Sequence, residues 1–404
     1  MAALITACGG GSDNDNDDLA GFGIAPGSSG GGTAEVRVLH AVDDAPLVNV
    51  LVNGDEVLPD IDFRTGSGFL ELAPGDYDIL VEALVPGAPG STVDIIEETL
   101  NFGSDTRTTI LAIGEVAPDT PAAGPIGTVG PLVVENPTEP IGAGNLRIQV
   151  THASPDAPPV YLAVTTPGFP IDQAEYLGPL SYTQSTGGIQ IPAGDYQIRV
   201  AVGTPDPSFE DSDVVFDSGA LSLSEGLDLQ AVAVTSTVPS QSLTNPSPIS
   251  VVLLDGTGSS DLFDAQTGAD LRVVHNSPGA PAVDVIVDVV ATPADENLTI
   301  VSNLIFGNFA GYLSPAVAPT AYDVSVVLSE NTSVEALNFV ADLMPGLAYT
   351  VIANDVVSNI TEWVLVDDNR RVATETKVRL VHGSPSAGTV DIYVFPSSTG
   401  LLPG

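Results

Sequence analysis

"LRVVHNSPGAPAVDVIVD", residues 271–288, decides the fold. Leu271, Val273 and His275 alternate with Arg272 and Val274; beyond a Ser-Pro turn, Val283, Val285 and Val287 alternate with Asp284 and Asp288. Successive side chains of a strand point to opposite faces, so this period of two describes two half-buried antiparallel strands. The turn between them suits proline, which fixes φ and donates nothing to a ladder, and serine, whose hydroxyl caps a turn.

The same pattern occurs four times: "VRVLHAVDDAPLVNVLV" from Val36, "IQVTHASPDAPPVYLAV" from Ile148, "LRVVHNSPGAPAVDVIV" from Leu271 and "VRLVHGSPSAGTVDIYV" from Val378. All four histidines of the chain, His40, His152, His275 and His382, fall at one position of it, and Val48, Val160, Val283 and Val390 follow at a constant interval. Each complete copy carries a second element, "LAPGDYDILVEA" around Tyr77, "IPAGDYQIRVAV" around Tyr196 and "VAPTAYDVSVVL" around Tyr322. A third follows: "LNFGSDTRTTILAIG", "LSLSEGLDLQAVAVTS" and "LNFVADLMPGLAYTVIAND". The spacing of the histidines is that of one sandwich domain, about 100 residues.

The expected fold is therefore all-β: tandem immunoglobulin-like antiparallel β-sandwich domains, as beads on a string. Residues 34–142, 143–268 and 269–375 are read as three complete sandwiches and 376–404 as the incomplete start of a fourth. Residues 1–33 are read as a truncated signal segment with a lipobox, followed by a flexible acidic, Gly-rich tether. A phenol just after a turn, as at Tyr77, Tyr196 and Tyr322, suits a hydrogen bond to backbone across a corner.

With 52 acidic and 10 basic residues, a net charge of −42 and Lys377 as the only lysine, the surface repels nucleic acid and anionic lipid headgroups. Hydrophobic content of 43% and charged content of 15% nevertheless describe a chain that folds. No apolar run is long enough to span a membrane as a helix. With one cysteine there is no intramolecular disulfide, so packing must supply the stability.

That cysteine, Cys8 in "MAALITACGGGSDNDNDD", has a small residue before it and a polar tether after it, and the stretch resembles the lipobox of a bacterial lipoprotein. The resemblance implies lipidation at Cys8, behind a signal segment here too short and uncharged. Gly9, rather than aspartate, directs such a protein to the outer membrane or cell surface. Asp13, Asp15 and Asp17 alternate like the start of a calcium loop but lack its central glycine and distal glutamate, so the tether reads as a solvated spacer and calcium as the weak alternative.

The four-fold pattern, followed by "P-A-G-x-Y-x-V", resembles the bacterial domain of unknown function 4397 over nearly all of residues 34–404. Copy one departs at Val42-Asp43-Asp44, where the others have Ser-Pro, and copy two has Gln149 in place of Arg37, Arg272 and Arg379. The resemblance implies a secreted or cell-surface protein and carries no assigned activity.

The histidines read as structural repeat markers, each ending the inward row of a strand and bonding backbone at the Ser-Pro turn. One per domain assembles no metal cluster, although Asp43 or Asp156 could join one as a ligand. The motifs of serine hydrolases, zincins and phosphate-binding loops are absent from the sequence. Arg37, Arg272 and Arg379 are expected to pair with carboxylates on the solvent face or on the next unit, the alternative being a grip on an anionic ligand. Asp284 and Asp391 share a register that Asn49 and Tyr161 fill elsewhere, which argues against a common calcium ligand.

The expected function is that of a non-enzymatic cell-surface lipoprotein, at the bacterial outer membrane or extracellular. It has no catalytic residues, metal or cofactor, and its repeats act as a spacer, adhesion or binding module. Expected partners are a lipid anchor at Cys8 and a surface ligand, polysaccharide or neighbouring subunit, with neither nucleic acid nor a transmembrane helix. The short fourth copy is expected either because the sequence is cut at both ends or because its strands complete a neighbouring molecule by strand addition. The second case defines the alternative function, a subunit of an extracellular filament. A hydrolase with its site in an inter-domain groove is the enzymatic rival.

Overall fold

The structure is a computed structural model describing residues 32–85, 88, 90–117, 129–206, 208–237, 247–289, 298–313 and 321–393. It is an all-β protein of tandem β-sandwiches. Repeat 1 contains β1 (Ala34–His40), β2 (Val48–Val52), β3 (Asp55–Ile61), β4 (Leu70–Leu72), β5 (Gly75–Leu84), β6 (Thr92–Phe102), β7 (Arg107–Ile113) and β8 (Gly130–Asn136). Repeat 2 contains β9 (Asn145–His152), β10 (Val160–Thr165), β11 (Leu177–Leu180), β12 (Ile189–Pro192), β13 (Gly194–Val202), β14 (Val214–Leu223), β15 (Asp228–Thr235), β16 (Ile249–Leu254) and β17 (Ser259–Leu262). Repeat 3 contains β18 (Asp270–Asn276), β19 (Val283–Val289), β20 (Leu298–Leu304), β21 (Ala321–Leu328), β22 (Asn331–Asp342), β23 (Ala348–Asn354) and β24 (Thr361–Asp367).

Each repeat is two sheets, and the quoted hairpin bridges them. Its first strand joins one sheet (β4-β1-β7-β8; β12-β9-β15-β16-β17; β18-β23-β24) and its second strand the other (β3-β2-β5-β6; β11-β10-β13-β14; β20-β19-β21-β22). The chain thus changes sheets at the turn after the histidine, Ser-Pro in repeats 2 and 3 and Val42-Asp43-Asp44 in repeat 1, and the two alternating rows face each other across a core. In repeat 3 that core joins Leu271 and Val273 to Val283, Val285, Val287, Tyr322 and Val324, as the alternation in the sequence requires. Asp284 and Asp288 lie on the opposite side of β19.

One feature of every first sheet differs from the antiparallel expectation. β1 pairs with β7, β9 with β15 and β18 with β23 in parallel, between otherwise antiparallel neighbours. The third sequence element supplies the parallel strand, and the whole remainder of the repeat serves as its crossover. A parallel strand in mid-sheet is covered on both faces and reads as a continuous apolar run. β7, β15 and β23 are accordingly buried almost throughout.

The chain divides into two compact units, the first holding Met1–Val238, Leu243–Thr267 and Asn369–Thr376, the second Pro239–Ser242, Gly268–Asp368 and Lys377–Gly404. Within the first unit, repeats 1 and 2 are packed on one another rather than strung apart. Leu39, Ala41, Leu111, Ile113 and Val134 of repeat 1 share a buried cluster with Ala153, Val232, Val234, Val252 and Leu254 of repeat 2. These residues lie on the outer faces of the two first sheets, which the hairpin alone describes as solvent-facing; the apolar third element shows why they are not.

Because Leu254 is wholly buried in this shared cluster, Leu254→Ala should cost about 2–5 kcal/mol. Calorimetry should show both repeats responding within a single shifted transition; an unshifted repeat 1 transition would mean that the two cores are independent.

Candidate functional site

The histidine turns have one geometry. His40, His152 and His275 are each at most 2% exposed. Their Nε2 atoms lie 3.3, 3.2 and 3.1 Å from the carbonyl oxygens of Pro46, Pro158 and Pro281. Their Nδ1 atoms accept the backbone N–H of Val42, Ser154 and Ser277 at 3.2, 3.4 and 3.3 Å. A carbonyl only accepts, so Nε2 carries the proton and Nδ1 the lone pair, and both ring nitrogens are occupied. Burial pulls His40 down to about 4, with the Pro46 hydrogen bond opposing it; burial likewise lowers His152. His382 in the fourth copy is exposed and places Nε2 3.0 Å from the Gly388 oxygen.

An aromatic ring stands edge-on to each buried imidazole: Phe63 to His40 and Tyr182 to His152 at 6.4 Å, and Phe306 to His275 at 6.2 Å. The residue after each ring has positive φ, Arg64 at 67°, Thr183 at 72° and Gly307 at 81°. Its N–H donates to the carbonyl of the histidine, at 2.8 Å in all three repeats. Sequence reasoning missed this third partner, because the interval from histidine to aromatic varies and only Gly307 advertises the backbone conformation.

The tyrosines stand at the opposite end of each sandwich. Tyr77 Oη donates to the Ala73 oxygen at 2.9 Å and Tyr196 Oη to the Pro192 oxygen at 2.7 Å, while Tyr322 is 1% exposed in the core of repeat 3. Cys8 and the aspartates at 13, 15 and 17 lie outside the described residues.

The face shared by repeats 1 and 2 ends in a buried polar seam. Arg37 Nε donates to Thr109 Oγ1 at 2.9 Å and Arg37 Nη2 to Gln230 Oε1 at 3.0 Å. Gln230 Nε2 continues to Thr151 at 3.0 Å. Asn136 Nδ2 donates to Gln149 Oε1 at 2.8 Å, and Gln149 Nε2 to the Glu135 carbonyl at 2.9 Å. Arg37 is therefore neither on a solvent face nor paired to a carboxylate: it is 3% exposed, held by neutral groups, and burial pulls it down to about 10. At the rim, Arg107 bridges Glu35 and Asp228 at 2.6 and 3.0 Å. Arg272 and Arg379 meet carboxylate, both at Asp367, at 3.3 and 2.5 Å.

The turns of repeats 1 and 2 bring Asp43, Asp44 and Asp156 together with Glu115. Asp44 accepts the backbone N–H groups of Val116 and Ala117 at 2.8 and 2.7 Å. Burial, then the charges of Asp156, Asp43 and Asp44 and a hydrogen bond with Asp156, push Glu115 up to about 7. Burial and Asp44 push Asp43 up to about 6 against the opposing charge of Arg370, whose Nη1 donates to the Asp43 and Ala45 carbonyls at 3.0 and 2.6 Å. Among the described residues no group of three or more His, Cys, Asp or Glu is placed to hold a metal ion. A cavity of about 670 Å³ opens within the first unit, lined by aliphatic side chains that include Val36, Val50, Leu58 and Ile110 and by the Gly66–Phe69 loop.

Two sheets bridged by a histidine-turn hairpin, repeated in tandem, define a class of protein, the repetitive all-β sandwich. Within that class the chain belongs to the family described as Domain of unknown function (DUF4397), whose model matches residues 34–163 and 269–393. No curated protein sequence matches it. Among solved structures, the Bacillus anthracis TIE protein is similar at 8% identity and a TM-score of 0.17, over 81% of this chain and 50% of that one. The chain thus spans half the length of that protein. The fimbrial anchor protein Mfa2 from Porphyromonas gingivalis is similar at 9% identity and a TM-score of 0.13, over 57% of this chain and 99% of that one.

Thr183 is exposed, β-branched and held at positive φ where repeat 3 has glycine. Thr183→Gly should stabilise the first unit by about 0.5–1 kcal/mol, the left-handed penalty outweighing the added chain entropy, and a lowered melting temperature would contradict this. Glu115, raised from 4.5 to about 7, contributes stability that is fully present below pH 4.5 and is lost as pH rises from there through 7. Neutral His40 works in the opposite sense, losing its contribution as pH falls from 6.5 toward 4. Glu115→Gln should therefore raise the melting temperature relative to the parent at pH 8.5 and change it far less at pH 4; equal effects at both would remove Glu115 as the source.

Proposed function

We propose that the chain is a non-enzymatic, surface-anchored protein whose sandwich repeats form a spacer or binding module. The observation that carries this reading is the use made of the repeated polar residues. The histidine that marks every copy spends both ring nitrogens on backbone in the three complete repeats, leaving neither for proton transfer or metal ligation. The buried polar side chains of the seam likewise hold one repeat to the next. Repetition here preserves architecture, as in a protein that positions a surface.

Anchorage rests on Cys8, whose flanking residues supply a thiol, a small residue before it and a long polar tether after it. Gly9, where aspartate is absent after the cysteine, supports the outer membrane or cell surface as the location, and the net charge of −42 suits a solvated surface facing counterions. The cavity of the first unit, lined mainly by aliphatic side chains, gives the module a place for an apolar ligand. The filament alternative, by strand addition through the fourth copy, has less support: residues 378–393 form no strand, and Gly383 meets Asn276 on a sheet face rather than a sheet edge.

Expression in a bacterial host fed a radioactive fatty acid, with and without Cys8→Ser, tests the anchor. Label should enter the parent and not the variant. Unlabelled parent protein released to the medium would replace the anchored protein with a freely secreted one.

A further inference from the structure

The outer face of repeat 3's first sheet repeats the design of the face that joins repeats 1 and 2. Arg272 stands opposite Thr350 across the parallel pair, as Arg37 stands opposite Thr109. Asp367 occupies on β24 the register that Asn136 occupies on β8. Arg272 lies over the Tyr312 ring at 4.6 Å as Arg37 lies over Phe69 at 4.4 Å. β23 is buried along its whole length, Ile352 and Asn354 to 6% exposure, although the two sheets of repeat 3 enclose only one of its faces.

What lies on that face is the opening of copy four. In the first unit, Gln149 of repeat 2 reaches back to repeat 1 through the Glu135 carbonyl and the Asn136 side chain. At the corresponding position, Arg379 reaches back to repeat 3 through the Val366 carbonyl and the Asp367 side chain, the same two places in the strand. Ala41 and Ala153 follow their histidines and share one cluster; the matching residues Asn276 and Gly383 are joined by a hydrogen bond at 2.6 Å. We propose that the units of this protein associate in pairs through the outer faces of their first sheets. Repeat 3 is the first member of a second pair, and the occupant of its outer face is the copy-four segment that opens at Val378.

The surface is larger than the segment now covering it. A cavity of about 830 Å³ remains between residues 381–386 and the sheet, lined by Val274, Phe306 and Ile352 among others. Phe309 is 67% exposed at the place of Gly66, where an added Cβ would come within 2.6 Å of Leu254 in repeat 2. Where repeat 1 has a closely covered glycine, repeat 3 has an uncovered aromatic ring.

Lys377 is the only lysine, so a lysine-specific protease makes one cut, directly before the docked residues. In the full chain, Arg379→Ala should speed that cut about tenfold, cleavage following the population of the open form, with the melting of repeat 3 unchanged. The double variant Asp367→Asn with Arg379→Gln rebuilds the Asn136–Gln149 pair and should be cut at the parent's rate. An Arg379→Ala rate equal to the parent's, or a double variant cut as fast as Arg379→Ala, overturns the pairing. A parent that sediments as a dimer while the cut stays slow assigns the face to a second copy's segment and overturns pairing within the chain.

Discussion

Everything in this fold depends on the parallel pair at the centre of each first sheet. The first strand of a repeat cannot bond to its near neighbours in sequence, because the turn after the histidine carries the chain into the opposite sheet. Besides a short antiparallel pairing in repeats 1 and 2, with β4 or β12, its long pairing is with the third element, which lies beyond the second sheet in sequence. That closes a loop of some 70 residues, an entropic cost that grows only slowly with length, and it makes every repeat a single cooperative object: β1 and β7 have no partner on one of their edges until both ends of the repeat are in place. The parallel strand then lies in mid-sheet, where both of its faces require cover.

The histidine turn makes that crossing rigid. An imidazole with a donor at Nε2 and an acceptor at Nδ1 satisfies a carbonyl and an N–H of the same turn, both of which would otherwise be buried without partners. Serine or asparagine is too short to reach both, and a charged side chain would pay a desolvation cost that the neutral tautomer avoids. The depressed His40 is the electrostatic trace of this role. The edge-on aromatic and the positive-φ residue complete the same device from the neighbouring loop, so one turn couples hairpin, sheet and loop.

How much of this could be read from the sequence follows from where the information is local. The alternation around His275, the constant step to Val283 and the tyrosines after their turns are short-range signals, and the sandwiches and their inner rows were legible from them. The parallel pairing was not, since nothing within β18 names a partner some 70 residues away. Nor was the fate of Arg37: an arginine in an acidic chain suggests a carboxylate partner, yet its neighbours are Thr109 and Gln230, the latter in another repeat. The clue was present in "TTILAI" and "QAVAVT", runs too continuously apolar for a sheet with one wet face.

A sheet buried on both faces commits each repeat to a neighbour, and the chemistry of that commitment explains the polar seam. An entirely aliphatic outer face would hold two repeats together in many registers and would expose a sticky surface whenever they separated. Arg37, Gln149 and Gln230 each need specific partners once desolvated, so a slip of register leaves buried donors unmet and costs more than the aliphatic contact returns. The aliphatic half of the interface supplies the attraction and the polar half selects the alignment. That division accounts for the exchange of Arg37 for Gln149 between copies one and two: with neutral Asn136 at the seam a second guanidinium would have no counter-charge, and an amide interlocks instead, whereas Asp367 at the same register supplies the charge that holds Arg272 and Arg379 together.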